Sequence, residues 1–388
     1  MALSSPDVAG RRYPSSATLM AGAMAISGLS DFGPGDFREG LDVLLDSLEH
    51  DAHLEPSAPE RVARILLRRL VNRLEVEQWY RSHPELEALT VRGPVDIVAL
   101  PRTGTTALAN MMSLDPAFRC LRGWEQAKPC PPPILGREAR DPRRLKFAGR
   151  IDRMSPEEKA LHLNELDATR EDADLLRMAF HDQSFGWPVH RYHAWWRSAD
   201  PTAAYHYHRR VVVLLQSRRP PNLWLFKAPH HLFHLEAVVN AYRDAKFVMT
   251  HRDPAKVVPS YASLLARSSR AGGGEQHMHR LGREVSEHLR IGVRNAIAAR
   301  ERLGEDRFLD LHHHELVRDP AGTLRRVYDF LGMPWPQEVR RSVEAWQRRN
   351  RPGAYGPHDY TAEQFGLRAA DIRRDYDFYI ERFGVKTQ

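Results

Sequence analysis

Apolar positions fall into two rhythms along the 388 residues. Between residues 37 and 79 they recur at helical spacing: Leu41, Leu44, Leu45 and Leu48, then Leu66, Leu67, Leu70 and Leu74. Two amphipathic helices forming a packed layer are predicted there. Residues 1–35, rich in Gly, Pro and Ser, read as an arm laid over the body. Beyond residue 95, short dense apolar runs alternate with helical stretches. The runs at 97–100, 117–121, 223–226, 246–250 and 308–311 are too short for helices and read as buried strands. Helical spacing follows at 108–112, 141–180, 205–216, 232–242 and 279–303. This alternation predicts an α/β fold: three layers, with a central parallel sheet of about five strands flanked by helices. The expected division is an N-terminal arm and helical cover over 1–90 and a main domain over 91–388.

The stretch after the first predicted strand organises the rest. Pro101 ends the strand, Arg102, Thr103, Gly104, Thr105 and Thr106 make a tight turn, and Leu108, Met111 and Met112 repeat as a helix up to Asp115 and Pro116. A strand, a small-residue turn and a helix start aim free N–H groups and the positive helix end at one point, which makes an anion site. Gly104 permits close approach of the backbone, the threonines add hydroxyl donors and Arg102 adds charge. An ordinary strand-to-helix turn is the competing reading of these residues alone. The triphosphate cradle G-x-x-x-x-G-K-[ST] is not met, because there is one glycine and no lysine. A P-loop-like turn without that lysine suits a nucleotide that is not a triphosphate.

Totals narrow the partners. A net charge of +7 suits a small anionic ligand and does not argue for nucleic acid. Cys120 and Cys130 are the only cysteines, as expected in a reducing compartment. No apolar run approaches the ~18 residues of a membrane span. Arg11 and Arg12 before 19–29 faintly imitate a signal peptide without its apolar core, so a cytoplasmic protein with no integral membrane segment is expected. Nothing in the sequence fixes the oligomeric state.

In a doubly wound sheet, ligands bind beyond the carboxyl ends of the strands. Arg102, Glu125, Lys227 and Arg252 each lie just past a different predicted strand, so parallel neighbours would bring all four to one crevice. Ser260, eight residues after Arg252, would let a strand-end Arg and a helix Ser grip one phosphate. Each residue also has a plainer reading: an Arg252–Asp253 pair, a surface Lys227, and Glu125 as a surface residue or helix cap. The aromatic segment 185–196 is either a packing cluster or one wall of an apolar acceptor pocket. The proline run at 128–134 reads as a stiff exposed loop. His230, His231 and His234 share a helical face, but no Cys or carboxylate completes a metal set, and His312 to His314 are consecutive. These histidines read as solvated or packing groups, and no metal is expected.

The turn 101–106 resembles the 5′-phosphosulfate loop of sulfotransferases that use 3′-phosphoadenosine 5′-phosphosulfate (PAPS). It is most similar to the bacterial sulfotransferase-like group and the tyrosylprotein sulfotransferases, which also carry Arg at this place. Arg252 with Ser260 resembles that family's 3′-phosphate motif. Glu315 to Gly332 resembles its strand, loop and helix after the fifth strand, and 351–367 its C-terminal segment, so roughly 90–385 is covered. The resemblance implies that Arg102, Thr103, Gly104, Thr105 and Thr106 hold the phosphosulfate of PAPS and that Arg252 and Ser260 hold the 3′-phosphate. It implies that Lys227 stands near the transferring sulfuryl group and that Glu125 is the general base. His181, His230 and His231 are rivals for that role, since cytosolic members use a histidine. By analogy the start of 351–367 closes over the 3′-phosphate, although this chain lacks the Arg-Lys-Gly form of cytosolic members.

The implied activity moves a sulfuryl group from PAPS to a hydroxyl of a partly apolar small molecule or lipid, without a metal. Two alternatives stay open. A P-loop kinase or NTPase would need a Mg²⁺-binding acid, for which Asp310 is the candidate at a strand end. A non-catalytic nucleotide-binding protein would keep the cradle without turnover.

Overall fold

The computed structural model describes residues 11–35, 37–52, 54–155, 166–183, 187–219, 222–268, 274–350 and 360–387. Five strands form one wholly parallel sheet: β1 (Val95–Ala99), β2 (Phe118–Cys120), β3 (Leu223–Lys227), β4 (Lys246–His251) and β5 (Phe308–His312). Their order is β2-β3-β1-β4-β5. The P-loop-like α/β architecture expected from the sequence is therefore present.

Strand β1 is central, and every residue in it is buried. That explains its continuous apolar character, broken only by Asp96, which accepts a 2.7 Å hydrogen bond from His231 Nδ1. The chain leaves β1 toward β2 and β3 on one side and later crosses to β4 on the other. The order thus reverses at β1, which places a ligand crevice at its carboxyl end. Register aligns Ala99 of β1 with Thr250 of β4, and His251 with His312 of β5.

The chain divides into two compact units. One, the sheet unit, comprises 92–122, 149–171 and 222–388. On one face of its sheet, Leu108, Met111 and Met112 pack with Leu324, Val327, Tyr328 and Val343. Burial of each such side chain is worth roughly 1.5–3 kcal/mol. The Tyr328 hydroxyl ties this layer down through a 2.7 Å hydrogen bond to Asp115.

The other unit comprises 1–91, 123–148 and 172–221. Its helices Phe37–His50 and Ala58–Ser82 bury Leu41, Leu44, Leu45 and Leu48, and Leu66, Leu67, Leu70 and Leu74, as the spacing predicts. Arg73 is buried among backbone carbonyls, donating to Phe32 at 2.6 Å and to Met178 at 3.0 Å.

Local expectations fail at four places. The N-terminal arm contains a helix, Ser16–Ser27, capped by Ser15 and buried only through Leu19 and Ala23. Ala-rich propensity carries it, and two inward positions give too thin a stripe to read. Within 141–180, the structure is helical over Pro142–Asp152, tightens to 3₁₀ turns over Asp172–Ala179, and lies outside the described residues at 156–165. The stretch 232–242 splits into a 3₁₀ turn, Pro229–Phe233, and a short helix, Leu235–Ala241. The proline run is buried at Pro129, Cys130, Pro132 and Pro133 and exposed only at Lys128, Pro131 and Ile134. Proline can enter an interior because it brings no N–H to satisfy.

Candidate active site

Pro101 and the next three residues leave β1 in a turn that bends backward twice. Arg102 has φ 66° and Gly104 φ 93°. The left-handed region costs a side-chain-bearing residue of order 1 kcal/mol and persists only where neighbours fix it. Neighbours fix Arg102 at both ends. Its Nε donates to Ser260 Oγ at 3.1 Å, and its carbonyl accepts Arg252 Nη1 at 2.9 Å. The turn after β1 and the turn after β4 are thereby one assembly, and Arg102, Arg252 and Ser260 meet at a single rim.

Thr103 is wholly buried and donates to the Leu100 carbonyl at 2.8 Å, with Thr250 Oγ1 at 2.6 Å. Its hydroxyl therefore locks the turn to β4. Gly104 is the N-cap of the helix Thr105–Met112. A Cβ on Gly104 would sit 3.0 Å from Leu316 Cδ2 and 3.3 Å from His313 Cδ2, so the cradle is closed on that side. Thr105 is buried, whereas Thr106 is exposed.

The charges at this rim are of one sign. Burial pushes the Arg102 guanidinium down from its ordinary range; the Tyr360 phenol opposes this, and Arg252 and Arg267 reinforce it. Burial, then Arg252 and His314, hold His313 down to about 4. Arg252 Nε is buried without a hydrogen-bond partner among the described residues. Converging cations, an unspent donor and a helix start are an arrangement that can hold an anionic group.

Lys227, buried at the end of β3, ion-pairs with Glu171 at 3.0 Å. Glu125 belongs to the other unit, in the short helix Gly123–Ala127, and is 1% exposed. Beside it, Trp124 is covered by the Arg143 guanidinium at 4.9 Å. Of the rival histidines, His231 is committed to Asp96. His181 lies against Trp195 and Trp196, and burial pushes it down. His230 lies in the 3₁₀ turn Pro229–Phe233. The aromatic segment forms the helix His190–Ser198, where Tyr192 donates to the Phe180 carbonyl at 2.7 Å and Trp195 to Glu39 at 2.8 Å. Those bonds favour the packing reading for Tyr192 and Trp195; residues 185 and 186 lie outside the described residues, as does 351–359 of the C-terminal segment.

Asp310, the acid the kinase reading requires, accepts from His251 at 2.7 Å and from Arg300 at 2.8 and 3.0 Å. Two residues that touch the predicted site groups, His313 beside Gly104 and Glu171 on Lys227, were missed in the sequence. His313 follows β5, so the rule that singled out the other strand ends would have found it. Glu171 follows no strand and carries no such signal.

The sequence pattern of the sulfotransferase family matches residues 94–337. The chain belongs to the sulfotransferase family. Among curated relatives of this chain is the omega-hydroxy-beta-dihydromenaquinone-9 sulfotransferase Stf3 of Mycobacterium bovis and of Mycobacterium tuberculosis. Each is 32% identical over 180 residues, 45% of this chain and 44% of the relative. The match thus spans less than half the length of those relatives. Among solved structures, sulfotransferase STF9 from Mycobacterium avium superposes with a TM-score of 0.88 at 26% identity, covering 98% of this chain and 99% of that one. Sulfotransferase STF1 from Mycobacterium tuberculosis does so with a TM-score of 0.83 at 27% identity, covering 95% and 99%. Among the described residues, no helix is long and apolar enough to cross a membrane.

Proposed function

We propose that this sulfotransferase moves the sulfuryl group of PAPS to a hydroxyl of a partly apolar small molecule or lipid. The meeting of Arg102, Ser260 and Arg252 at one rim carries the reading, because a nucleotide phosphorylated at both the 5′ and 3′ positions needs two cationic grips. Arg102, Thr103, Gly104, Thr105 and Thr106 bind the 5′-phosphosulfate with backbone N–H groups, hydroxyls and charge. Arg252 and Ser260 bind the 3′-phosphate, for which the unpartnered Arg252 Nε is one free donor.

PAPS supplies the activated sulfuryl group, and the chain supplies position and charge. Glu125 takes the proton of the acceptor hydroxyl as its oxygen bonds to sulfur and the bond from sulfur to the bridging phosphate oxygen breaks. Arg102 and Lys227 neutralise the negative charge gathering on the leaving phosphate and the sulfuryl oxygens. Glu171 holds Lys227 in place until those oxygens compete for its ammonium. With Asp310 already held by His251 and Arg300, the kinase alternative has lost its candidate acid.

An apolar acceptor is supported by the Stf3 relatives, whose name describes a hydroxylated menaquinone derivative. Cys120 and Cys130 are both buried free thiols, which suits the reducing cytoplasm. The test is transfer of radiolabelled sulfate from PAPS to a panel of apolar alcohols and free sugars. Transfer to the apolar alcohols is expected, and Glu125→Gln should bind adenosine 3′,5′-bisphosphate normally while turnover falls at least about 100-fold. Activity on free sugars alone would refute the acceptor class. Near-normal turnover of Glu125→Gln would move the base to another residue.

A further inference from the structure

The turn that carries Arg252 is held from outside the sheet. Arg252 lies between β4 and the helix Pro254–Ser268, and the residues on either side of it, His251 and Asp253, are fastened by the last two helices, Ala369–Asp375 and Asp377–Phe383. Asp253 is buried and caps its own helix through the Ala255 N–H at 3.0 Å. Its other oxygen receives Arg373 Nη2 at 2.7 Å, with Arg373 Nε 3.3 Å away. Tyr379 is buried, and its hydroxyl lies 3.1 Å from His251 Nδ1. The His251 ring stacks on Phe383 at 4.3 Å. Tyr376, between the two helices, donates to the Ser286 carbonyl at 2.6 Å and anchors them to the long helix Glu275–Leu303.

We propose that Tyr379 and Arg373 are positioning residues that aim the Arg252 guanidinium, so that the C-terminal helix pair sets the protein's preference for a 3′-phosphorylated nucleotide. This rests on the reading of Arg252 as the 3′-phosphate ligand. One guanidinium donor is spent on the Arg102 carbonyl, so the rest reach a phosphate only if the main chain of the turn is held still. Tyr379 holds the residue before Arg252, through the His251 ring, and Arg373 holds the residue after it. A displacement of about 1 Å is enough to lose most of an oriented contact.

The test compares adenosine 3′,5′-bisphosphate with adenosine 5′-monophosphate by calorimetry on the full chain. Wild type, Tyr379→Phe, Arg373→Gln, Arg373→Lys and Arg252→Ala are compared, with thermal melting to confirm that each is folded. Tyr379→Phe and Arg373→Gln should each lose about 10-fold in bisphosphate affinity, while the monophosphate changes less than about 2-fold. Arg373→Lys should recover part of the loss. Arg252→Ala should abolish the preference altogether. Equal weakening of both nucleotides in Tyr379→Phe and Arg373→Gln would reduce the helix pair to a structural prop and overturn the proposal. Full retention of the preference in those two variants, with its loss in Arg252→Ala, would overturn the positioning role and leave the 3′-phosphate reading intact. Retention of the preference in Arg252→Ala would remove that reading itself.

Discussion

Gly104→Ala is the change whose consequences the geometry specifies most fully. The residue has φ 93°, where an alanine pays roughly 1–2 kcal/mol for the left-handed backbone. The new Cβ would also lie 3.0 Å from Leu316 Cδ2 and 3.3 Å from His313 Cδ2, so both side chains must yield. Leu316 is buried in the same core as Leu108 and cannot swing into solvent. A total near 2 kcal/mol is expected, which lowers the melting temperature by about 4–8 °C. The helix start at Thr105 would shift with it, and affinity for adenosine 3′,5′-bisphosphate should fall at least about 10-fold, since a misplaced N–H cradle forfeits oriented hydrogen bonds. Gly332→Ala separates backbone cost from crowding. Gly332 has φ 64°, but a Cβ there meets nothing within 4 Å. It should lose about 1 kcal/mol and bind nucleotide as the wild type does. Melting by calorimetry and titration with the bisphosphate read both quantities. If Gly104→Ala melts and binds like Gly332→Ala, the turn is not the closed cradle described above.

Two further outcomes follow from buried polar groups. Thr103→Val removes the bonds to the Leu100 carbonyl and Thr250 hydroxyl, so a loss of about 1–3 kcal/mol in chemical denaturation is expected, with weaker nucleotide binding; stability like the wild type's would show that this lock is idle. Burial holds His193 and His313 down to about 4, below the ordinary 6.5, so the unfolded chain takes up their protons first as pH falls. Their contribution to stability is complete above pH 6.5 and drains between 6.5 and 4; a melting temperature flat from pH 7 to 4.5 would contradict this.

The strands could be read from the sequence because burial on both faces makes them dense apolar runs, and Pro101, Pro229 and Pro254 punctuate their ends. The turn after β1 could be read because its strand end, small residues and helix start fall within six positions. Arg252 and Ser260 were reachable because they share one turn and the helix after it. Residues that act at long range were not. Arg373 and Asp253 are 120 positions apart, and no local pattern links them. His313 follows β5 and was within reach of the strand-end rule, but it stands in a run of three histidines that reads as solvated or packing groups. The helix Ser16–Ser27 was lost because two buried side chains do not make a visible stripe.

The central claim is that this chain grips a nucleotide carrying phosphates at both ends, and calorimetric titration of the wild-type protein tests it most directly. Adenosine 3′,5′-bisphosphate is predicted to bind without Mg²⁺, and more tightly than adenosine 5′-monophosphate or ATP with Mg²⁺. Tight binding of ATP with Mg²⁺ and none of the bisphosphate would contradict the account.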